Sequence, residues 1–312
     1  MTNERPIIGI LCIDVATKLY ELYGPTVKSY IAASYVKFLE CSGARVVPIW
    51  IGKDEQYYRD IMKNINGILL PGGAVYFEKL ENQKPEQTNE CVRSSEFIYR
   101  IAVEINNDGV YFPLWGICLG YELLLYHSSE RKLNRQNCTK MNKSMVLELE
   151  KDFLNSKLFQ SLPREMESIL RTETFAFHFH QFCITKNDLC EFEINDQWKV
   201  TSVNRDENGL EFISTIEHVK YPFYGVQFHP EKVIFEWSLS DSINHTENSV
   251  KCAQYLSNFF VSECRKNLNS FSNKQEEDRH LIYKFPVEFT GIKNSKWMQC
   301  YLFSDKSNYD CI

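Results

Sequence analysis

An α/β protein with a central, mostly parallel sheet, helices on both faces and a mixed or antiparallel β extension is the fold class this sequence predicts. Three observations carry that prediction. Apolar runs without alternation, Ile7 to Cys12, Arg45 to Ile51 and Gly67 to Leu70, are separated by segments rich in helix formers, the rhythm of βαβ units whose strands are buried on both faces. Glycine-rich breaks, Pro71-Gly72-Gly73 and Gly116 to Gly120, interrupt that rhythm abruptly. Beyond about Arg131 the texture changes to short strand-like runs with polar turns between them. The 312 residues suit one large domain with appendages. We read a main domain over 1–266, a polar linker or loop over 267–278 and a tail over 279–312 packed on the domain.

Taken in order, Ile7 to Cys12 is the first strand, and Ser29 to Cys41 follows as a helix closed by Ser42-Gly43. Arg45 to Ile51 is a strand, Asp54 caps a helix reaching about Asn64, and Gly67 to Leu70 is a strand halted at Pro71. Ser94 to Ile105 is a helix; Val110 to Gly116 leads as a strand into Ile117 to Gly120 and a helix from Tyr121 to His127. Met145 to Glu150, Phe175 to Thr185, Trp198 to Asn204, Phe212 to Glu217 and Tyr221 to Phe228 read as strands, and Ser249 to Lys266 has helical spacing. There is no internal repeat. In parallel sheets of this kind the site lies at the carboxyl ends of the strands.

Composition narrows the classes. Hydrophobic residues at 44% with 13 Gly and 10 Pro exclude a disordered or collagen-like chain. A net charge of −6, without a basic stripe carrying interleaved aromatics, excludes nucleic acid as the expected partner. No apolar stretch is long enough to span a membrane, and the opening Met1 to Cys12 lacks the length and cleavage site of a signal peptide. Eleven cysteines without a CxxC pair suggest neither a zinc knuckle nor a small disulfide scaffold. Sequons at Asn137, Asn142 and Asn244 matter only in a secretory compartment.

Gly116-Ile117-Cys118-Leu119-Gly120 has the pattern of a nucleophile elbow with cysteine at its apex. The turn forces strained backbone angles on the nucleophile and brings backbones close, so its second neighbours must be small. The helix N-terminus is expected to favour thiolate. His229, at the end of a strand and two residues before Glu231, is the best-placed base, with a carboxylate to orient it. The N–H groups of Leu119 and Gly73 are candidate oxyanion donors. His178 and His180, with Cys183 nearby, also allow a zinc reading, because strand alternation puts both imidazoles on one face. A substrate-binding or internally satisfied histidine is the competing reading.

In their order, Pro71-Gly72-Gly73, the elbow and His229-Pro230-Glu231 resemble the class I glutamine amidotransferase fold, an arrangement of flavodoxin-like type. Within it the chain resembles the gamma-glutamyl hydrolases, or folylpoly-gamma-glutamate hydrolases. The phrases that carry this are Tyr30 to Lys37, Ile65 to Leu69, Tyr111 to Gly116, Phe212 to Thr215, Tyr221 to Gln227, Leu281 to Phe285 and Gln299 to Tyr301. Glutaminase domains place glutamine four residues after the nucleophile; here that residue is Glu122, similar to the hydrolases. His180 and Tyr35 match further active-site residues of that family, and His178 does not.

The resemblance implies a cysteine-type omega peptidase that cleaves the γ-amides of folyl or antifolyl poly-γ-glutamates. Cys118, His229 and Glu231 would do the chemistry, Gly73 and Leu119 would form the oxyanion hole, and Glu122, His180 and Tyr35 would touch substrate. No metal or organic cofactor is required. It further implies a homodimer located in the lysosome or vacuole or outside the cell, a location toward which the sequons lean. A glutaminase subunit and a catalytically silent polyglutamate binder remain the alternatives. Ser304 to Ile312 runs past the matched region.

Overall fold

The computed structural model describes residues 2–78, 88–237, 242–292, 295–304 and 307; Cys311 and most of the last stretch lie outside them. An eight-stranded sheet forms its centre, in the order Arg45–Ile49, Ile7–Leu11, Ile68–Leu70, Leu114–Ile117, Phe223–Val226, Glu211–His218, Trp198–Arg205, Glu148–Leu149. The first five strands run parallel and the last three are antiparallel additions. Ile7–Leu11 and Leu114–Ile117 are buried along their whole length, as their unbroken apolar character requires of strands covered on both faces. Among the described residues, no helix is long and apolar enough to cross a membrane.

Local chemistry explains many boundaries. The Asp54 carboxylate accepts the Tyr57 N–H at 3.0 Å and starts the helix Glu55–Met62. Gly43, at φ +83°, closes the helix that ends at Glu40. Asp14 accepts the N–H groups of Glu90 and Cys91, each at 2.9 Å, at the start of the helix Glu90–Asn107. Buried Glu263 on the helix Glu247–Cys264 accepts from Tyr224 at 2.7 Å and from Tyr111, pinning that helix to the sheet.

The segment Ser29 to Cys41, expected as one helix, divides. Val27–Ala32 is a strand and only Ala33–Glu40 is helical. The strand exists because Gln299–Ser304 pairs with it, in a second sheet ordered Val287–Phe289, Gln299–Ser304, Val27–Ala32, Ile13–Asp14; a partner from the chain's far end leaves no local signal. Phe175 to Thr185 likewise breaks into Ala176–His178 and Phe182–Cys183, and the helices Thr17–Tyr23, Arg164–Thr172, Lys186–Glu191 and Pro230–Phe235 are additional.

The stretch 267–278 is not a free linker. Asn66 Nδ2 donates to Asn267 O, Asn267 Oδ1 and Asn269 O at 2.9–3.1 Å, and Lys274–His280 is a helix capped by Asn273. Cys138 and Cys183 form a disulfide, a pairing that spacing alone did not reveal.

Candidate active site

Three neighbouring parallel strands end at one place. Ile68–Leu70 delivers Gly72 and Gly73, Leu114–Ile117 delivers Cys118, and Phe223–Val226 delivers His229. Cys118 adopts φ +53°, ψ −109°, a conformation costly for a residue with a Cβ and kept only where its surroundings enforce it. They do so tightly. A Cβ on Gly116 would lie 2.6 Å from the Gly120 backbone, and one on Gly120 would lie 1.9 Å from Leu70 O, so both elbow glycines are required for backbone approach.

His229 is 4% exposed and its Nδ1 lies 2.7 Å from Glu231 Oε1. Glu231 is fully buried, so the ring is held with Nδ1–H toward the carboxylate and Nε2 left as acceptor. Nε2 has no hydrogen-bond partner among the described residues. Cys118 is beside it: a Cβ on Gly72 would sit 2.8 Å from His229 Cε1 and 3.3 Å from Cys118 Cβ, so the missing side chain of Gly72 is what lets imidazole and cysteine face one another. Tyr35 Oη accepts the Gly72 N–H at 2.9 Å and lies 3.4 Å from His229 Nδ1. The Gly72 N–H is thereby used. That of Gly73 has no bond among the described residues, and Gly73 packs against the Leu119 side chain, a Cβ on it lying 3.0 Å from Leu119 Cδ2.

The thiol departs from expectation. Burial, reinforced by the Glu122 charge, pushes the Cys118 pKa up, against the opposing Leu119 N–H. The helix terminus does not outweigh desolvation, and the balance favours the neutral thiol.

Glu122 is 3% exposed and has both oxygens engaged: Oε2 with Arg135 at 2.9 Å, Oε1 with Gln227 Nε2 at 3.2 Å. Burial raises its pKa more than Arg135 lowers it. The Arg135 guanidinium lies 3.9 Å from the ring centroid of Phe77 and 4.3 Å from that of Phe182. Neither Arg135 nor Gln227 was anticipated; the position of Gln227, two residues before His229 on the same chain segment, is the available hint.

His178 and His180 do meet, as alternation suggested, but they bond to each other. His180 Nδ1 donates to Phe182 O at 2.9 Å, and its Nε2 lies 3.0 Å from His178 Nδ1. Burial lowers the His180 pKa to about 3 and drives that of His178 down as well; both rings are neutral, with His178 the donor to His180. The zinc reading meets a different trio. Cys138, His180 and Cys183 place their ligand atoms within 4.8 Å of one another, but the two sulfurs are bonded together, which withdraws the thiolates a zinc ion would need. Of the sequons, Asn137 and Asn142 are exposed. Asn244 is half-buried and its amide donates to Thr174 O at 2.9 Å.

A cavity of about 470 Å³ opens over this floor, reaching Cys118, His229, Tyr35, Glu122 and His180. Its volume falls in the range of small-molecule sites.

The peptidase C26 model matches residues 6–231. Gamma-glutamyl hydrolase from Homo sapiens is 40% identical over 304 residues, covering 97% of this chain and 91% of that protein. Gamma-glutamyl hydrolase B from Dictyostelium discoideum is 35% identical, covering 98% and 85%. Gamma-glutamyl hydrolase 2 from Arabidopsis thaliana is 31% identical, covering 97% and 84%. Among solved structures, a glutamine amido transferase from Methylobacillus flagellatus aligns with TM-score 0.47 and 10% identity over 87% of this chain and 98% of that one.

Proposed function

The chain belongs to the peptidase C26 family, and from that premise we propose that it is a cysteine hydrolase of γ-glutamyl bonds, acting on folyl or antifolyl poly-γ-glutamates with Cys118 as nucleophile, His229 as base and acid, and Glu231 as orienter. The observation that carries the assignment is the His229 ring, fixed through Nδ1 by Glu231 at 2.7 Å with Nε2 unpartnered across Gly72 from Cys118. Nε2 takes the thiol proton as sulfur attacks the γ-carbonyl carbon. The N–H groups of Gly73 and Leu119 stabilise the oxyanion. His229 then gives its proton to the departing α-amine. Water enters, loses a proton to the same nitrogen and releases the γ-carboxylate from the thioester; the sulfur recovers a proton from His229. Tyr35 steadies His229 and Gly72, while Glu122 and His180 shape the wall the substrate meets.

An oxidising compartment, lysosome, vacuole or cell exterior, fits the Cys138–Cys183 disulfide and N-glycosylation at exposed Asn137 and Asn142. Carried over from the family, the homodimer is favoured by an outer edge strand, Val287–Phe289, that exposes Val287 and Phe289.

Mass spectrometry of pteroyl-penta-γ-glutamate incubated with the chain and with Cys118→Ala, beside an α-linked polyglutamate and free glutamine, tests the reading. Loss of γ-linked glutamates with the unmodified chain alone is the expected result, the variant falling by about 10⁴-fold or more. An intact γ-linked tail would sink the reading; ammonia from glutamine would then point to a glutaminase, and its absence to a silent binder.

A further inference from the structure

The charged groups around the cavity can be accounted for one by one. Asp14 spends its oxygens on the N–H groups of Glu90 and Cys91 and on Thr88. Glu122 and Arg135 neutralise each other, and Lys18 stands 3.8 Å from Glu21. His180 is neutral. Three ammonium groups remain, those of Lys140, Lys232 and Lys296, and among the described residues none lies within 4.0 Å of a carboxylate.

Lys232 is the telling member. It follows His229-Pro230-Glu231 on the helix Pro230–Phe235, is 2% exposed and, among the described residues, makes no hydrogen bond, ion pair or ring contact. The nearby Glu236 carboxylate accepts the Met298 N–H at 2.7 Å and acts on Lys232 only at longer range. Lys232 lines the cavity, and a cation there with no carboxylate partner among the described residues is available to an anionic ligand. Lys296 is exposed at the rim, as is Lys140; the Lys296 Nζ lies 4.8 Å from the Phe179 ring centroid, and Lys140 and Lys232 both repel its charge. The three charges line one cavity and oppose one another.

We propose that Lys140, Lys232 and Lys296 form a carboxylate-binding strip that receives the free α-carboxylates of a poly-γ-glutamyl chain, with Lys232 beside the residue under attack and Lys296 and Lys140 taking those further along. This rests on the hydrolase reading for the identity of the ligand. A γ-linked polyglutamate carries one α-carboxylate per residue on a repeating main chain, and three cations lining one cavity match such a polyanion as they would match no neutral peptide. Selection would follow from electrostatics, most strongly at Lys232, which is 2% exposed.

Titration calorimetry of the Cys118→Ala protein tests the strip, with penta-γ-glutamate and with the same peptide carrying α-carboxamides in place of α-carboxylates. The charged peptide is expected to bind at least tenfold tighter than the neutral one. Lys140→Gln, Lys296→Gln and Lys232→Met should each weaken the charged peptide at least fivefold, leave the neutral one within twofold, and reduce the loss of affinity on adding salt; Lys296→Arg should recover most of the loss. Lys232→Met should also raise the ligand-free Tm, which a merely structural lysine would lower. Should Lys232→Met fail to fold, the two less buried lysines decide alone. Equal binding of the two peptides, or lysine variants that bind both unchanged, overturns the strip. Hydrolysis by the unmodified chain is read in parallel: lysine-dependent binding without turnover supports the strip and sinks the hydrolase reading, whereas turnover with lysine-independent binding does the reverse.

Discussion

Glu231 and Glu122 are both buried carboxylates within electrostatic reach of Cys118, yet one faces an imidazole and the other a guanidinium. Glu231 holds His229 by Nδ1 at 2.7 Å and leaves the opposite nitrogen to exchange a proton. Glu122 meets Arg135 at 2.9 Å, a cation that never gives up its proton, itself held between Phe77 and Phe182. The chemistry of the partner sets what each pair can do: the imidazole of the first can exchange protons, while the second fixes a wall and its charge. Even with Arg135 in contact, burial still lifts the Glu122 pKa above its ordinary value, so the second pair does not recover its desolvation cost through attraction alone.

The sharpest test of that contrast is Glu231→Gln, which keeps the shape but can present the wrong hydrogen-bond partner to Nδ1. Turnover should fall by about 10³ to 10⁴-fold with the thermal midpoint little changed. Glu122→Gln should reverse the emphasis. It strands a buried guanidinium, and unfolding free energy should drop by about 3 kcal/mol in denaturant titrations, the double variant Glu122→Gln/Arg135→Met recovering much of it. If Glu122→Gln instead abolishes turnover as deeply as Glu231→Gln while stability holds, Glu122 belongs to the proton path and the comparison is broken.

A smaller effect concerns pH. The His180 pKa sits at about 3 when folded against an ordinary value near 6.5, so the unfolded chain binds the extra proton first as pH falls. Stability is full above about pH 6.5 and declines toward pH 3, by at most ~1.4 kcal/mol per unit and by less in practice because His180 borders the cavity. Glu122, with its pKa raised, tilts the other way: its favourable contribution is present at low pH and is lost as pH rises through the folded value. Tm measured between pH 4 and 7 should therefore show a shallower acid-side decline in His180→Gln and a steeper one in Glu122→Gln; parallel profiles for both variants would contradict these assignments.

The elbow was readable because everything it needs is local. Gly116, Cys118 and Gly120 sit within five residues, and backbone crowding dictates their identity. His229 and Glu231 were readable for the same reason, being two residues apart at a strand end. The opposite wall was readable only in the facing of His178 and His180, through alternation. His178, His180, Cys138 and Arg135 come together only when the short strands Gln136–Asn137 and Phe182–Cys183 pair, and two or three residues of strand carry no periodicity to recognise. Ser29 to Ala32 misled for a related reason: helix-compatible residues became a strand because Gln299–Ser304 lies alongside.

By itself the sequence determined the parallel sheet, the place of Cys118 on its tight turn and the pairing of His229 with Glu231, since these follow from apolar runs, close-packed glycines and short spacings that act along the chain. Only the tertiary structure decided that Cys118 rests as a buried thiol, that His180 is neutral and tied to His178, and that three lysines from separate segments converge unpaired on one cavity. Desolvation and charge balance are set by neighbours in space, and a linear sequence does not state which those are.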